Sequence, residues 1–160
     1  MFFIYQLLLT ILLVISPFFI LYRILKNKEH KKRFIEKFSI TSKQRKSGNL
    51  IWFHGASVGE ILSIIPIVKF YEKKKKIHQI LITSSTLSSS KVIQKFKFKK
   101  TIHQFFPIDA NFIVKRFLKY WKPKACIFIE SEIWPNVIRN IKKQKLPLIL
   151  LNARITNKSY

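Results

Sequence analysis

Acidic side chains are scarce in this sequence. Seven Asp and Glu stand against 31 Lys and Arg in 160 residues, a formal net charge of +24. Such a chain is drawn to polyanions: nucleic acid, anionic lipid headgroups or phosphorylated substrates. The sequence is also heavy in Lys, Ile, Phe and Asn together, as AT-rich genes are, so only a clustered subset of the lysines can be assigned a function. Cys126 is the single cysteine, which excludes an intrachain disulfide and a cysteine-based metal site. It lies in an apolar run and reads as a small buried hydrophobe facing a reducing compartment. No two histidines have metal-ligand spacing. Glycine is rare as well, and neither a G-x-G-x-x-G fingerprint nor a P-loop occurs.

What is present begins with a run free of charge, Phe2 to Tyr22. Roughly 20 helical residues cross about 30 Å of hydrocarbon. Pro17 is tolerated in such a span. Arg23, Lys26, Lys28, Lys31, Lys32 and Arg33 follow at once, and positive charge stays on the cytoplasmic side. A cleaved signal peptide would carry a basic start and a small-residue cleavage site, and neither is seen. Residues 1–23 are therefore expected to form a single transmembrane anchor, with the soluble part cytoplasmic. Residues 24–49 are expected to be a basic juxtamembrane segment and linker.

From Leu50 onward strands and helices alternate. Strands are expected at Leu50 to His54, Gln79 to Thr83, Ile102 to Phe106, Ala125 to Ile129 and Leu146 to Leu151. The periodicity between them predicts helices over Ser57 to Lys73, Ser88 to Phe96, Asp109 to Trp121 and Pro135 to Lys143. Asp109 is read as the cap of the third, with Phe112, Val114, Phe117 and Leu118 inward, and Pro135 as a favoured first residue of the fourth. This order implies an α/β fold: a Rossmann-like parallel sheet with helices on both faces, spanning residues 50–160. Ligands of such sheets bind beyond the carboxyl ends of the strands. Three loops lie there: His54 to Glu60, Thr83 to Ser90 and Glu130 to Asn136.

The first loop holds Ser57, Gly59 and Glu60. Its glycines allow close backbone approach, and free N–H groups at a helix start favour an anion or a sugar hydroxyl. Ser57 and Glu60 equally form S-x-x-E, a capping box that needs no ligand. The third loop carries Glu130 and Glu132, whose spacing aims both carboxylates into one crevice, with Trp134 as a stacking face for a sugar. An acidic helix start explains the same pattern through the helix dipole. After the last strand come Asn152 and Arg154, the latter a partner for phosphate or carboxylate or an ordinary surface arginine.

Trp52-Phe53-His54, Ser57-Val58-Gly59-Glu60, Pro107-Ile108-Asp109, Arg116-Phe117-Leu118, Glu130-Ser131-Glu132-Ile133-Trp134-Pro135-Asn136 and Asn152-Ala153-Arg154 stand in one order. In that order and spacing the chain resembles the N-terminal half of the Kdo transferases, which add 3-deoxy-D-manno-octulosonic acid (Kdo) to a lipid A precursor. The loop Thr83 to Ser90 departs from the pattern, with Leu87-Ser88-Ser89 where the family shows a glycine. The resemblance implies the N-terminal domain of a GT-B glycosyltransferase and inverting transfer from CMP-Kdo to lipid IVA. It implies Glu60 as catalytic base, and Ser57, Gly59, Glu130, Glu132, Trp134, Asn152 and Arg154 as substrate-binding residues. It implies no metal and no cofactor beyond the donor substrate. The implied partners are the lipid A precursor, inner-membrane lipids and CMP-Kdo held by a second domain, not nucleic acid. The chain stops near the end of the first domain, so the donor-binding domain is expected to be missing from it. The 160 residues are expected to be a fragment, a truncated gene product or one half of a split protein, and to transfer no Kdo alone. A rival expectation is a membrane-tethered polyanion-binding or adaptor domain without catalysis.

Overall fold

The computed structural model describes residues 2–130 and 133–152. Five strands form one sheet: β1 (Leu50–His54), β2 (Gln79–Ser84), β3 (Thr101–Phe105), β4 (Ala125–Ile129) and β5 (Leu148–Leu151). Their order is β3-β2-β1-β4-β5 and every pairing is parallel. Four helices connect them: α2 (Val58–Glu72), α3 (Leu87–Gln94), α4 (Asn111–Trp121) and α5 (Pro135–Lys143). The last strand starts at Leu148, not at Leu146 as expected, and Pro147 before it has no N–H to donate.

Period-two alternation assigns the helices to faces. Leu50, Trp52, Leu81, Cys126 and Phe128 pack with Val114, Phe117, Leu118 and Trp121 of α4 and Val137 and Ile141 of α5. Ile51, Phe53, Ile80, Ile82, Ile127 and Ile129 pack with Ile61, Ile64 and Val68 of α2 and Ile93 of α3. Both faces are covered, as a wholly parallel sheet requires. Burial raises the Cys126 thiol to about 12, so it stays protonated in this core. Phe112, expected inward, is exposed, and Ile113 takes the core position. The buried stripe of α4 is Ile113, Val114, Phe117, Leu118 and Trp121, and Phe112 lies one helical step outside it.

The segment expected as a linker is packed against the sheet. A 3₁₀ helix, Arg33–Phe38, lies against β3. Glu36 is fully buried. Its carboxylate accepts two bonds from Arg33, at 2.8 and 2.9 Å, one from the Phe105 N–H at 2.9 Å, and one from the Ser42 hydroxyl. Arg33 also donates to the His103 carbonyl at 2.8 Å. His103 is buried beside this guanidinium. Burial, with Arg33 and Lys43 adding to it, lowers its pKa to about 3, so the ring is neutral and bridges Arg33 and the Ser84 hydroxyl.

Helix α1 (Phe2–Leu25) is long and apolar enough to cross a membrane. A narrow stripe rests on the domain, with Ser16 and Ile20 buried, while Leu8, Ile11, Val14, Ile15 and Phe18 are exposed. Near its start the Tyr5 hydroxyl donates to Asp109 and the Gln6 amide to Asn136, each at 2.6 Å. Helical rise puts Tyr5 about 27 Å from Arg23, so a full span would carry Tyr5 away from Asp109. The seated position and a full span exclude one another.

Two outcomes test the clamp that Glu36 and Arg33 form on β3. Glu36→Ala leaves a buried guanidinium and an N–H unpaired, and should cost about 3–5 kcal/mol in denaturant unfolding. For His103 the folded pKa lies below the ordinary 6.5. The unfolded chain therefore binds the extra proton, and stability should fall as pH drops from about 6.5 towards 3, by up to about 1.4 kcal/mol per pH unit. His103→Gln should remove that part of the slope. An unchanged slope would show that His103 does not carry it.

Candidate functional site

Strand β1 ends at His54, fully buried and stacked on Phe106 with ring centroids 3.7 Å apart. Its Nδ1 lies 3.1 Å from both the carbonyl and the hydroxyl of Thr83. The chain then turns through Gly55, whose N–H donates to the Thr83 carbonyl. A Cβ on Gly55 would lie 3.1 Å from the Glu60 Cβ, so the tight turn excludes a larger residue without movement. Ser57 caps α2, its hydroxyl accepting from the Glu60 N–H at 3.2 Å. The Glu60 carboxylate in turn accepts from the Ala56 N–H at 2.8 Å and the Ser57 N–H at 3.3 Å. The capping box is thus formed, and it fixes Glu60 half-buried at the crevice rim. A carboxylate has about four acceptor positions, so two remain after these bonds. A Cβ on Gly59 would meet only the Ser57 hydroxyl, at 3.9 Å, so the fold itself does not require glycine there.

The loop after β2 is tied to this one. Thr86 caps α3 through the Ser89 N–H, and the Ser89 hydroxyl donates to the Ala56 carbonyl at 3.4 Å. At Leu87-Ser88-Ser89, where this loop departs from the family pattern, the Ser89 hydroxyl supplies the contact to the first loop.

Across the switch point, Glu130 follows β4 directly and has φ 57°, in the left-handed region. Asn152, at the end of β5, has φ 55°. The Glu130 N–H donates to the Leu151 carbonyl at 2.8 Å, and the Asn152 amide lies 3.4 Å from the Glu130 carboxylate. Such strain in non-glycine residues is held where surrounding structure over-determines it. Trp134 packs on Phe106, centroids 5.4 Å apart, so it is half-buried and serves the core as well as the rim. Glu132 and Arg154 lie outside the described residues.

Asp109 is the residue whose role differs most from expectation. It does not cap α4, whose N-cap is Ala110 with no side-chain bond. Its carboxylate instead accepts from the Asn136 N–H at 2.9 Å and the Val137 N–H at 2.8 Å, capping α5 from another loop. The Asn136 amide returns a bond to the Asp109 carbonyl. Burial raises the Asp109 pKa, and the bonds from Tyr5, Asn136 and Val137 oppose that shift. No local spacing signals a cap made 27 residues away. Among the described residues no three His, Cys, Asp or Glu side chains are grouped to hold a metal ion.

Asp109→Ala should cost about 1–2 kcal/mol, as cap removal does. It should also speed hydrogen exchange at the Asn136 and Val137 amides. Unchanged protection of those two amides would contradict this cap.

The family model of 3-deoxy-D-manno-octulosonic-acid transferase matches residues 32–160. A probable mitochondrial 3-deoxy-D-manno-octulosonic acid transferase of Arabidopsis thaliana is 38% identical over 99% of the chain and 36% of its own length. The enzyme of that name from Rickettsia bellii is 40% identical over 98% of the chain and 37% of its own length. That from Haemophilus influenzae is 31% identical over 68% of the chain and 26% of its own length. The chain spans about a third of the length of the first two relatives. With the crevice loops and the matched residues taken together, this chain belongs to the 3-deoxy-D-manno-octulosonic acid transferase family.

Proposed function

We propose that this chain is the acceptor-side domain of an inverting transferase that moves Kdo from CMP-Kdo to a hydroxyl of the lipid A precursor lipid IVA. The observation that carries the reading is the Glu60 carboxylate, fixed by two backbone N–H groups at the carboxyl edge of the sheet in a chain of this family. Glu60 takes the proton of the acceptor hydroxyl as that oxygen attacks the anomeric carbon. CMP leaves from the opposite face with the electrons of the broken bond, which inverts the centre. Oxocarbenium character develops at the anomeric carbon, as in inverting glycosidases. CMP-Kdo is held by a second domain of the complete enzyme. Ser57 and Gly59 bring backbone close to the acceptor, Glu130 and Asn152 face it from β4 and β5, and Trp134 offers a ring to its sugar. Glu132 and Arg154 are assigned to binding by the family pattern alone. Helix α1, seated along the domain, turns its exposed apolar side chains to the bacterial inner membrane, and the basic residues after Leu25 suit the anionic cytoplasmic surface.

A separate observation supports a second reading, polyanion binding without catalysis. Lys69, Lys73, Lys95, Lys97 and Lys99 line a cavity at the amino edge of the sheet. The one carboxylate in its lining, Glu72, is occupied by the Lys99 and Lys100 N–H groups and the Thr101 hydroxyl. Salt-sensitive DNA binding with no affinity for acylated disaccharide would favour that reading.

Glu60→Gln in the complete enzyme separates base from cap. Gln retains one acceptor oxygen for the box, so the melting temperature should change little. Turnover should fall roughly 10²–10⁴-fold, the usual worth of a general base. Near-normal turnover would leave Glu60 as a helix cap only.

A further inference from the structure

Between α1 and the domain runs an apolar cavity of about 330 Å³. Leu9, Leu12, Leu13, Phe19 and Ile20 of α1 form one wall, and Ile108 belongs to the other. This volume falls within the range of ligand pockets, whose linings are mostly apolar with a few polar groups placed for orientation. The polar groups here collect at one end. Glu29 lies between Arg23, at 3.4 Å, and Lys37, at 2.5 Å, so two cations share one carboxylate. Arg23 also lines an adjoining cavity of about 380 Å³, with Asn27, Lys28, Thr86, Ser88 and Lys91. No carboxylate lines that second space. Hydrocarbon walls thus lead into a cationic mouth with an excess of positive charge.

We propose that this groove is the acyl-chain subsite for the acceptor, an acylated and phosphorylated glycolipid, with its phosphate in the mouth at Arg23, Lys28 and Lys91. The inference rests on the transferase reading and deepens it by placing the lipid part of the substrate. A water-soluble phosphosugar would leave the apolar walls wet, and a neutral lipid would leave the cations without a partner. Phosphate with Arg and Lys forms charge-assisted hydrogen bonds, and each methylene removed from water adds to the affinity. The location suits an acceptor. Ser85, in the groove lining, follows β2 directly, and Thr86, in the mouth, caps α3. Ser89 of α3 reaches the Ala56 carbonyl in the loop that holds Glu60. A lipid seated here has its headgroup at the same edge of the sheet as the proposed base.

The test is photo-crosslinking to the full chain in neutral-detergent micelles. The probe is a phosphorylated, acylated glucosamine disaccharide with a diazirine on one acyl chain, and adducts are mapped by mass spectrometry. Adducts should form on Ile108 and Ser85 as well as on α1. Unlabelled acylated disaccharide should compete and its deacylated form should not. Lys28→Glu with Lys91→Glu should lower the Ile108 adduct about tenfold. Ile108→Trp, which narrows the groove, should lower the Ser85 adduct while the melting temperature reports an intact fold. Adducts confined to exposed α1 residues such as Leu8, Ile11 and Phe18 would overturn the proposal. So would equal marking of Ile108 by a diazirine phosphatidylglycerol. The readout is binding alone, so a complete enzyme that transfers Kdo yet leaves Ile108 and Ser85 unmarked loses the groove and keeps its activity assignment.

Discussion

In a sheet whose strands all run parallel, every strand leaves at the same edge. That constraint sets the rest of this molecule. β1 pairs with β2 on one side and β4 on the other, and the chain order reverses between β1 and β4. The loops after β1 and β2 are then neighbours, as are the ends of β4 and β5, and the two groups lie on either side of the β1–β4 switch point, where ligands of such sheets bind. Helices on both faces follow because the three central strands β1, β2 and β4 are apolar on both sides. The proposed chemistry is placed at this edge, where the loops that carry Glu60, Glu130 and Asn152 leave the sheet.

A second regularity concerns the few acids. The six that are described all hold hydrogen-bond donors. Glu29 and Glu36 pair with cations. Glu36, Glu60, Glu72 and Asp109 each accept from backbone N–H groups. Glu130 faces Asn152. In a chain of net charge +24 these carboxylates work mainly as structural acceptors, and most join elements that local structure does not join. Asp109 connects the loop after β3, the start of α5 and, through Tyr5, helix α1. Glu60 differs in position: its bonds are local, and they hold it at the crevice.

Local signals were legible in the sequence and long-range ones were not. β1 and β4 read as apolar runs, β3 was legible only from the alternation of elements around it, and Ser57 with Glu60 gave the capping box by spacing alone. The family pattern pointed to the loops that the sheet then brought together. The 3₁₀ segment around Glu36 read as linker because its charge partners are adjacent but its burial depends on Phe105 and His103, about 70 residues away. Asp109 was assigned to the nearer helix for the same reason: sequence proximity favours α4, while the geometry of the crossing loops presents the bare N–H groups of α5. The phase of α4 was missed by one residue because Phe112 is as apolar as Ile113, and only packing chooses between them. The seat of α1 along the domain carried no sequence signal beyond Tyr5, Gln6 and Ser16 in an otherwise apolar run.

Hydrogen exchange of the full chain, with and without an acylated, phosphorylated disaccharide in micelles, addresses the claim that the carboxyl edge is the acceptor site. The account predicts added protection at residues 55–61, 85–91 and 133–137, with the amino-edge lysine segments 73–77 and 95–100 unchanged. Protection confined to those lysine segments, or equal protection by any polyanion, would contradict it.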